Sequence, residues 1–513
     1  MKTETKIKTA ALIGGGVIGA GWAARLLING IDVTLCDPSE RAAARVEPVL
    51  AAALRAYRRM TLAPVAQRGR LTFTDSVTDA VTAVDFVQES APERIDIKRE
   101  LIRTICAHAP AEVVVASSSS GLLPSALQHG VRFPERVLIG HPFNPVYLMP
   151  LVEIVGGRQT GDEAKQVAAG FYRDIGMHPL FIRKEIDAFV ADRMMEALWR
   201  EALHLVNDGV ATTDDIDQAL AYGPGLRWAF MGPFMTYRVA GGEGGFRHFM
   251  AQFGPSLKWP WARFDGPELT DALLDKLTAQ SDAQAAGLSI DELEKRRDDC
   301  LVAVLRALRT EQYAAGQTLQ RYEEQLYEAG HRKAMADADD LRRPLRLHAG
   351  VVPPEWVDYN AHMTESRYLQ AFGDASDALF RYIGVDRAYH AAGCSYYTVE
   401  THINFLREVH VDARFAVTTQ LLGGDEKRIH LFHRMHAVDG DAVDGDGDGD
   451  GDGDGELLAT TEQLLLHVDT AAGKVCAARP QVFARLSRIL DAHAGLPAPP
   501  QAGRAIQRRS PRA

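Results

Sequence analysis

The sequence predicts a chain in three parts: an α/β domain on an open, mostly parallel sheet, an all-helical second domain, and a smaller α+β domain. Three observations predict it. Over residues 8–160 short apolar runs alternate with helical stretches. From Ile186 to about Lys333 apolar residues recur at helical spacing. Beyond Arg342 one helical face stands among several β-rich runs. Strands separated by helices give a parallel sheet covered on both faces, whereas successive strands give antiparallel pairing. A length of 513 residues suits about three domains.

In the first domain Ala10–Ile13, Asp32–Cys36, Asp85–Gln88, Glu112–Ala116, Val137–Gly140 and Leu151–Val155 read as strands. Gly19–Asn29, Ser39–Arg59 and Pro92–Ala107 read as the helices between them. In the second, Ile186–Val206 is the clearest helix, and Thr213–Ala221 follows a Thr-Thr-Asp-Asp cap. Asp271–Gln280 and Ile290–Glu328 continue the helical pattern, with a glycine-rich loop at Gly241–Gly245. In the third, a strand near Arg342–Leu347 precedes a helix with Tyr368, Phe372 and Phe380 on one face. Strands are expected at Ser395–Phe405, Arg414–Leu422, Ile429–Ala437, Glu456–Val468 and Lys474–Cys476. The expected boundaries are 1–185, 186–340 and 341–490, with 491–513, rich in Pro and Arg, as a disordered tail.

Charge and cysteine usage narrow the function classes. Of the net −11, nine negative charges lie between Asp439 and Glu456, in an Asp-Gly repeat. Such a repeat cannot bury a core and is expected as a disordered hairpin extension; it lacks the residue spacing of an EF-hand calcium loop. The near-neutral remainder gives no basic field for nucleic acid. Cys36, Cys106, Cys300, Cys394 and Cys476 are an odd, scattered set without CxxC spacing, which fits reduced thiols in a cytoplasm and offers no zinc site. No run of 18 apolar residues predicts a membrane span. No metal is expected.

Gly14-Gly15-Gly16-Val17-Ile18-Gly19 lies between a strand and a helix. Gly14 permits the tight turn, Gly16 lets the backbone approach a pyrophosphate, and Gly19 lets helix and strand pack. The helix N-terminus then faces the phosphates across Val17 and Ile18. Asp37 ends the next strand, where an acid meets the ribose hydroxyls and repels a 2′-phosphate, so the expected cofactor is NAD rather than NADP. Two further clusters end strands: Ser117-Ser118-Ser119-Ser120-Gly121 and Gly140-His141-Pro142-Phe143-Asn144-Pro145, the latter followed by Leu151-Val152-Glu153-Ile154-Val155. Ligands of open parallel sheets meet the carboxyl ends of strands, so these groups are placed to converge beside the nicotinamide. A histidine suits removal of an alcohol proton, and a carboxylate on its other nitrogen would fix the tautomer.

Residues 5–255 resemble the 3-hydroxyacyl-CoA dehydrogenase family, through GGGVIG, SSSSG, HPFNPVYLMPLVEIV and MGPF. The resemblance implies a Rossmann domain, His141 as the catalytic base, Glu153 as its partner and Ser120 as the binder of the substrate oxygen. It also implies that Glu93 and Lys98, in APERIDIK, lie near the cofactor. One departure matters: where the family usually has Asn-Arg, this chain has Asp192-Arg193. Helical spacing puts Asp192, Glu196 and Trp199 on one face, and Trp228 and Phe230 follow in YGPGLRWAFMGPF. Carboxylates and aromatic faces suit a quaternary ammonium group. These stretches resemble the L-carnitine dehydrogenase branch of the family, which implies oxidation of L-carnitine to 3-dehydrocarnitine.

Residues 344–490 resemble hot-dog thioesterases of the 4-hydroxybenzoyl-CoA thioesterase type, through Trp356-Val357-Asp358-Tyr359-Asn360-Ala361-His362-Met363 and Arg367-Tyr368-Leu369. The resemblance implies Asp358 as nucleophile or as base on water, with Asn360 and His362 orienting it, and a homodimer. The family's usual Asn-Asn after this motif is Thr364-Glu365 here. Fused proteins of this kind imply betainyl-CoA as thioester, cleaved to glycine betaine and CoA. Two other readings stand beside this one. A short-chain 3-hydroxyacyl-CoA dehydrogenase fused to an acyl-CoA thioesterase would use the basic stretch Arg55-Ala56-Tyr57-Arg58-Arg59 for CoA phosphates. A crystallin-like structural protein would bind NAD without turnover.

Overall fold

The computed structural model describes residues 7–39, 41–61, 63, 68–263, 265–336, 341–438 and 455–504. The chain divides into two compact units, the first of Met1–Met60 and Gln67–Gln325, the second of Thr61–Ala66 and Leu326–Ala513. Expectations for the Asp-Gly repeat at 439–454 and for residues 505–513 lie outside the described residues.

The first unit opens with β1 (Thr9–Ile13), α1 (Val17–Ile28), β2 (Asp32–Cys36), α2 (Ala42–Met60), β3 (Leu71–Thr74), α3 (Val77–Val81), β4 (Phe86–Glu89) and α4 (Ile95–His108). β5 (Val114–Ser117), α5 (Pro124–Leu127), β6 (Val137–Pro142), β7 (Leu151–Gly156), α6 (Asp162–Asp174) and β8 (His178–Ile182) follow. The sheet order is β3-β2-β1-β4-β5-β6-β7-β8. All neighbours are parallel except β6 and β7. The order reverses between β1 and β4, and in such sheets the crevice at that switch receives the ligand. This is the Rossmann arrangement expected. The strands β3 and β8 and the helices α3, α5 and α6 were not foreseen, because their apolar runs are short. β3 has no buried residue, so little hydrophobic pattern marks it.

The centre of the sheet is dry. Ala10, Ala11, Leu12, Phe86, Val87, Val115 and Ile139 are buried on both faces, as parallel strands between helix layers must be. Buried Arg25 ties α1 to the chain beyond β6 by donating to the carbonyls of Val146 (2.7 Å) and Ile175 (2.8 Å).

Helices α7 (Ala191–Asn207), α8 (Thr213–Ala221), α9 (Pro224–Trp228), α10 (Pro233–Ala240), α11 (Gly245–Phe253), α12 (Asp271–Ala285), α13 (Ile290–Thr310) and α14 (Ala315–Ala336) make the all-helical part. α8 starts on a capping box in which Thr212 and Asp215 satisfy each other's backbone amides. Two expected helices are corrected. The one predicted from Ile186 begins at Ala191, because Ala188 (φ 57°) and Phe189 (φ 49°) take left-handed backbone and Phe189 turns into the core. The run Ile290–Glu328 is two helices, parted at Gln312 (φ 52°) and Ala314 (φ 47°). The glycines at 241–245 form a short 3-10 turn leading into α11.

The second unit contains β9 (Leu345–Val351), α15 (Glu365–Ile383), α16 (Arg387–Ala391), β10 (Cys394–Phe405), β11 (Arg414–Gly424), β12 (Arg428–Ala437), β13 (Leu457–Asp469), β14 (Lys474–Val475) and α17 (Pro480–His493). Its antiparallel sheet runs β10-β13-β12-β11-β9, with β14 beside β13. The apolar face of α15 lies on the sheet: Phe372 and Ala375 pack with Phe415, Val417 and Met435, and Leu379 and Ile383 with Leu421, Ile429 and Leu465. This is the hot-dog fold, a central helix held against an antiparallel sheet. The expected boundary at 490 falls inside α17. Beyond it the described chain still packs, with Pro497 accepting from Gln420 (3.2 Å) and Gly503 donating to Glu462 (2.7 Å).

Candidate active sites

The glycine motif forms the predicted turn. Gly14 has φ +103°, and a Cβ on Gly19 would lie 1.8 Å from the Gly14 carbonyl oxygen, so neither tolerates a side chain. A Cβ on Gly16 would meet nothing within 4 Å, so the backbone there borders open space. Gly16 caps α1 without a side chain, which leaves the first-turn amides at Val17 and Ile18 for an anion. At the end of β2, Asp37 Oδ2 accepts from the Gly15 amide (2.6 Å) and Oδ1 from the Ser39 amide (2.8 Å). The carboxylate is thus fixed beside the glycine turn. These residues fit NAD: amides for the pyrophosphate, and an acid at the ribose position.

Four consecutive serines end β5, and three are committed to the protein. Ser117 Oγ donates to Glu89 (2.5 Å). Ser118 Oγ accepts from Trp22 (3.1 Å) and Gln88 (2.7 Å). Ser119 Oγ donates to Glu93 (2.5 Å). Ser120 is exposed, and among the described residues its hydroxyl has no protein partner. Glu93 also accepts from the amides of Ser120 (3.1 Å) and Gly121 (3.0 Å). Although burial opposes it, these bonds and Lys98 hold the Glu93 carboxyl below its ordinary range. Lys98 is buried, with its ammonium on Glu89 (2.9 Å) and the Ala91 carbonyl (3.0 Å). Its charge therefore reaches the cleft through Glu93, at 3.6 Å.

His141 and Glu153 face each other across the antiparallel β6–β7 pair. The register puts both side chains on one face, with Nδ1 of His141 3.0 Å from Glu153 Oε2. Glu153 is fully buried, and its Oε1 accepts from the amides of Val190 (3.1 Å) and Ala191 (3.0 Å) at the start of α7. Phe143 and Phe189 flank the imidazole, with ring centroids 4.8 and 5.6 Å away. At the other nitrogen, Nε2, Asp192 Oδ2 stands 3.6 Å away. Burial raises the Asp192 carboxyl above its ordinary range; His141 opposes this, while Glu153, Glu196 and Glu93 add to it.

The structure brings Ser120, Glu93 and His141 to the carboxyl ends of β5, β4 and β6, with Glu153 opposite His141 on antiparallel β7 and Asp192 at the start of α7. The expected aromatic group is not gathered there. Trp199 lines a groove with Leu198, Leu203, Ile216, Leu220 and Leu277, and Trp228 and Phe230 are exposed. Arg55 and Arg59 both close on Asp299, Arg55 at 2.6 Å, so two guanidiniums of the basic stretch share one carboxylate within the unit. Sequence reading missed Phe143 and Phe189 beside the histidine. Phe143 lies inside the motif, and only the backbone turn reveals Phe189.

In the second unit Asp358 opens the turn before α15. Its Oδ1 accepts from the amides of Asn360 (2.8 Å) and His362 (3.4 Å), and its own amide donates to the His362 carbonyl (2.9 Å). Ala361 takes φ 61° to close the turn. Asn360 and His362 thus orient the carboxylate through their backbones. The His362 ring turns to Glu408, 3.3 Å away, and lies 4.8 Å from the ring of His410. Glu408 and His410 carry no motif and were not foreseen.

Comparison with known proteins places both halves. Residues 9–186 match the family model described as 3-hydroxyacyl-CoA dehydrogenase, NAD binding domain, and 189–284 match its C-terminal domain. Residues 352–486 match the thioesterase-like superfamily. The chain is 50% identical to the L-carnitine dehydrogenase/betainyl-CoA thioesterase of Rhizobium meliloti (strain 1021), over 98% of this chain and 99% of that one. The chain belongs to the 3-hydroxyacyl-CoA dehydrogenase family, with a C-terminal thioesterase-like domain. It is also 54% identical to the L-carnitine dehydrogenase of Pseudomonas aeruginosa, over 60% of this chain and 96% of the relative. A crystal structure of an NAD+ dependent dismutase, 5-formyl-3-hydroxy-2-methylpyridine 4-carboxylic acid 5-dehydrogenase, is 30% identical with a TM-score of 0.50, covering 59% of this chain and 98% of that one. Among the described residues of this dehydrogenase–thioesterase, no helix is long and apolar enough to cross a membrane.

Proposed function

We propose that this bifunctional enzyme oxidises L-carnitine to 3-dehydrocarnitine with NAD and hydrolyses betainyl-CoA to glycine betaine and CoA. The observation that carries the reading is full-length similarity to relatives bearing both activities in their names, joined to a His141–Glu153 pair of the required geometry. NAD, when bound, accepts the hydrogen and electron pair that leave C3 of the alcohol. The chain supplies the rest. Ser120 holds the substrate oxygen with its uncommitted hydroxyl. His141 takes the hydroxyl proton at Nε2, and Glu153 at Nδ1 fixes the tautomer and stabilises the imidazolium. Asp192 is the proposed contact of the trimethylammonium group. Gly14, Gly16, Val17, Ile18, Gly19, Asp37, Glu93 and Lys98 are the proposed cofactor residues.

In the thioesterase half, Asp358 either attacks the thioester carbonyl, expelling the CoA thiolate and leaving an acyl-enzyme anhydride that water hydrolyses, or draws a proton from a water that attacks the carbonyl directly as the CoA thiolate leaves. The proposed assembly is a cytoplasmic homodimer. Supporting it, the long edge strand β10 exposes Tyr397 and Val399, and α7 and α10 expose Met194, Met195 and Phe234. Exposed apolar faces of this kind mark association surfaces.

The test uses the full chain. NADH formation with L-carnitine and CoA release from betainyl-CoA are measured for the wild type, His141→Ala and Asp358→Asn. His141→Ala should lower dehydrogenation by about 10³-fold while leaving NAD binding and thioester cleavage intact. Asp358→Asn should do the reverse. Equal rates on plain acyl-CoA and betainyl-CoA would remove the thioester assignment, and substantial dehydrogenation without His141 would remove the base.

A further inference from the structure

The imidazole of His141 has a carboxylate at each nitrogen. Glu153 bonds Nδ1 at 3.0 Å, and Asp192 Oδ2 faces Nε2 at 3.6 Å. Flanked in this way, the ring has no nitrogen that faces away from a carboxylate, and a hydroxyl that approaches Nε2 must displace Asp192. The atom that must act as base is therefore the atom that Asp192 engages.

Asp192 is held in this position by the fold. It sits in the first turn of α7, one residue beyond the Ala191 amide that donates to Glu153. Hence the carboxylate that orients the base also anchors the residue opposing it. The adjacent cation does not neutralise Asp192: the Arg193 guanidinium donates to the Asp187 carbonyl at 3.3 Å. The other charges acting on Asp192 are Glu153, Glu196 and Glu93, all carboxylates. With its side chain only 24% exposed, Asp192 is a partly desolvated carboxylate that faces the histidine.

The proposed substrate carries its ammonium nitrogen one carbon from the carbinol carbon. With bonds near 1.5 Å, hydroxyl oxygen and nitrogen lie about 3 to 4 Å apart. A hydroxyl docked on Nε2 therefore brings the cationic group beside Asp192. Building on the dehydrogenase reading, we propose that Asp192 is a specificity-determining residue that releases the base only to a cationic substrate. Its carboxylate faces Nε2 in the free enzyme and turns to the substrate's quaternary ammonium in the complex. Nε2 is then free to accept the hydroxyl proton; Asp192 itself neither gains nor loses one. A neutral 3-hydroxy acid leaves Asp192 on the histidine and reacts poorly.

The experiment compares L-carnitine with its uncharged carbon isostere, 3-hydroxy-5,5-dimethylhexanoate, at saturating NAD. The wild type should prefer carnitine in kcat/KM by about a hundredfold, equivalent to about 2.7 kcal/mol. Asp192→Asn keeps the shape and removes the charge. It should raise KM for carnitine, raise kcat for the isostere, and bring the two substrates near parity. Asp192→Glu should retain a preference for carnitine. A wild type active on carnitine whose preference survives in Asp192→Asn, or a variant that loses both substrates equally, overturns the assignment of Asp192 alone. Failure of the wild type to oxidise carnitine overturns the dehydrogenase reading and this inference with it.

Discussion

Which serine can meet a substrate is decided by which hydroxyls are already bonded. Ser117, Ser118 and Ser119 are committed to Glu89, to Trp22 and Gln88, and to Glu93, so only Ser120 offers its hydroxyl to the cleft. The same reasoning applies to Asp37. Two backbone amides, of Gly15 and Ser39, hold its carboxylate in place at the end of β2. Arg45 stands 3.5 Å from the same carboxylate, so a cofactor 2′-phosphate arriving there would meet a fixed negative charge that this guanidinium offsets only in part. NAD should therefore exceed NADP in kcat/KM by at least about tenfold, and Asp37→Ser should shrink that ratio. Steady-state kinetics with both cofactors checks this; a better NADP rate in the wild type would remove the role given to Asp37.

At the scale of elements, α15 of the hot-dog domain rests on a buried polar cluster. His433 of β12 is fully buried, with Ser376 of α15 at 2.9 Å from Nε2 and Thr419 of β11 at 2.9 Å from Nδ1. Burial, aided by His348, pushes the His433 imidazole down to about 3 from an ordinary 6.5. In the unfolded chain it protonates near the ordinary value, so the unfolded state binds more protons between these limits. Its contribution to stability is complete above about pH 6.5 and is lost as pH falls toward about 3. One such proton gives a slope of at most about 1.4 kcal/mol per pH unit. The urea midpoint of the transition that unfolds this domain should therefore fall between pH 7 and pH 5, and less steeply in His433→Gln. A midpoint that rises on acidification would contradict the account.

For the whole molecule, the expectation is an association of two copies. β10 runs twelve residues along the edge of its sheet, with Tyr397 and Val399 more than half exposed. An edge of that length is a template for another strand unless it is covered. Light scattering coupled to gel filtration should give twice the chain mass, and the paired change Tyr397→Lys with Val399→Lys should weaken the assembly. A monomeric wild type at micromolar concentration would refute the dimer.

Local pattern was enough for most of the element types, the glycine turn, and the pairing of His141 with Glu153. Strand period and nearness in the chain place those two residues on adjacent strands, and the family motif names them. It was also enough for the thioesterase turn, because Asp358, Asn360 and His362 bond within five residues. Tertiary structure alone decided the rest. The start of α7 moved to Ala191 because Ala188 and Phe189 take left-handed backbone, which turns Phe189 into the core against the His141 ring. That turn carries Asp192 to Nε2, whereas helical spacing alone placed it only on a face with Glu196 and Trp199. Glu408 and His410 meet His362 for the same reason: periodicity is a property of neighbours in sequence, while contact between distant residues depends on how the whole core packs.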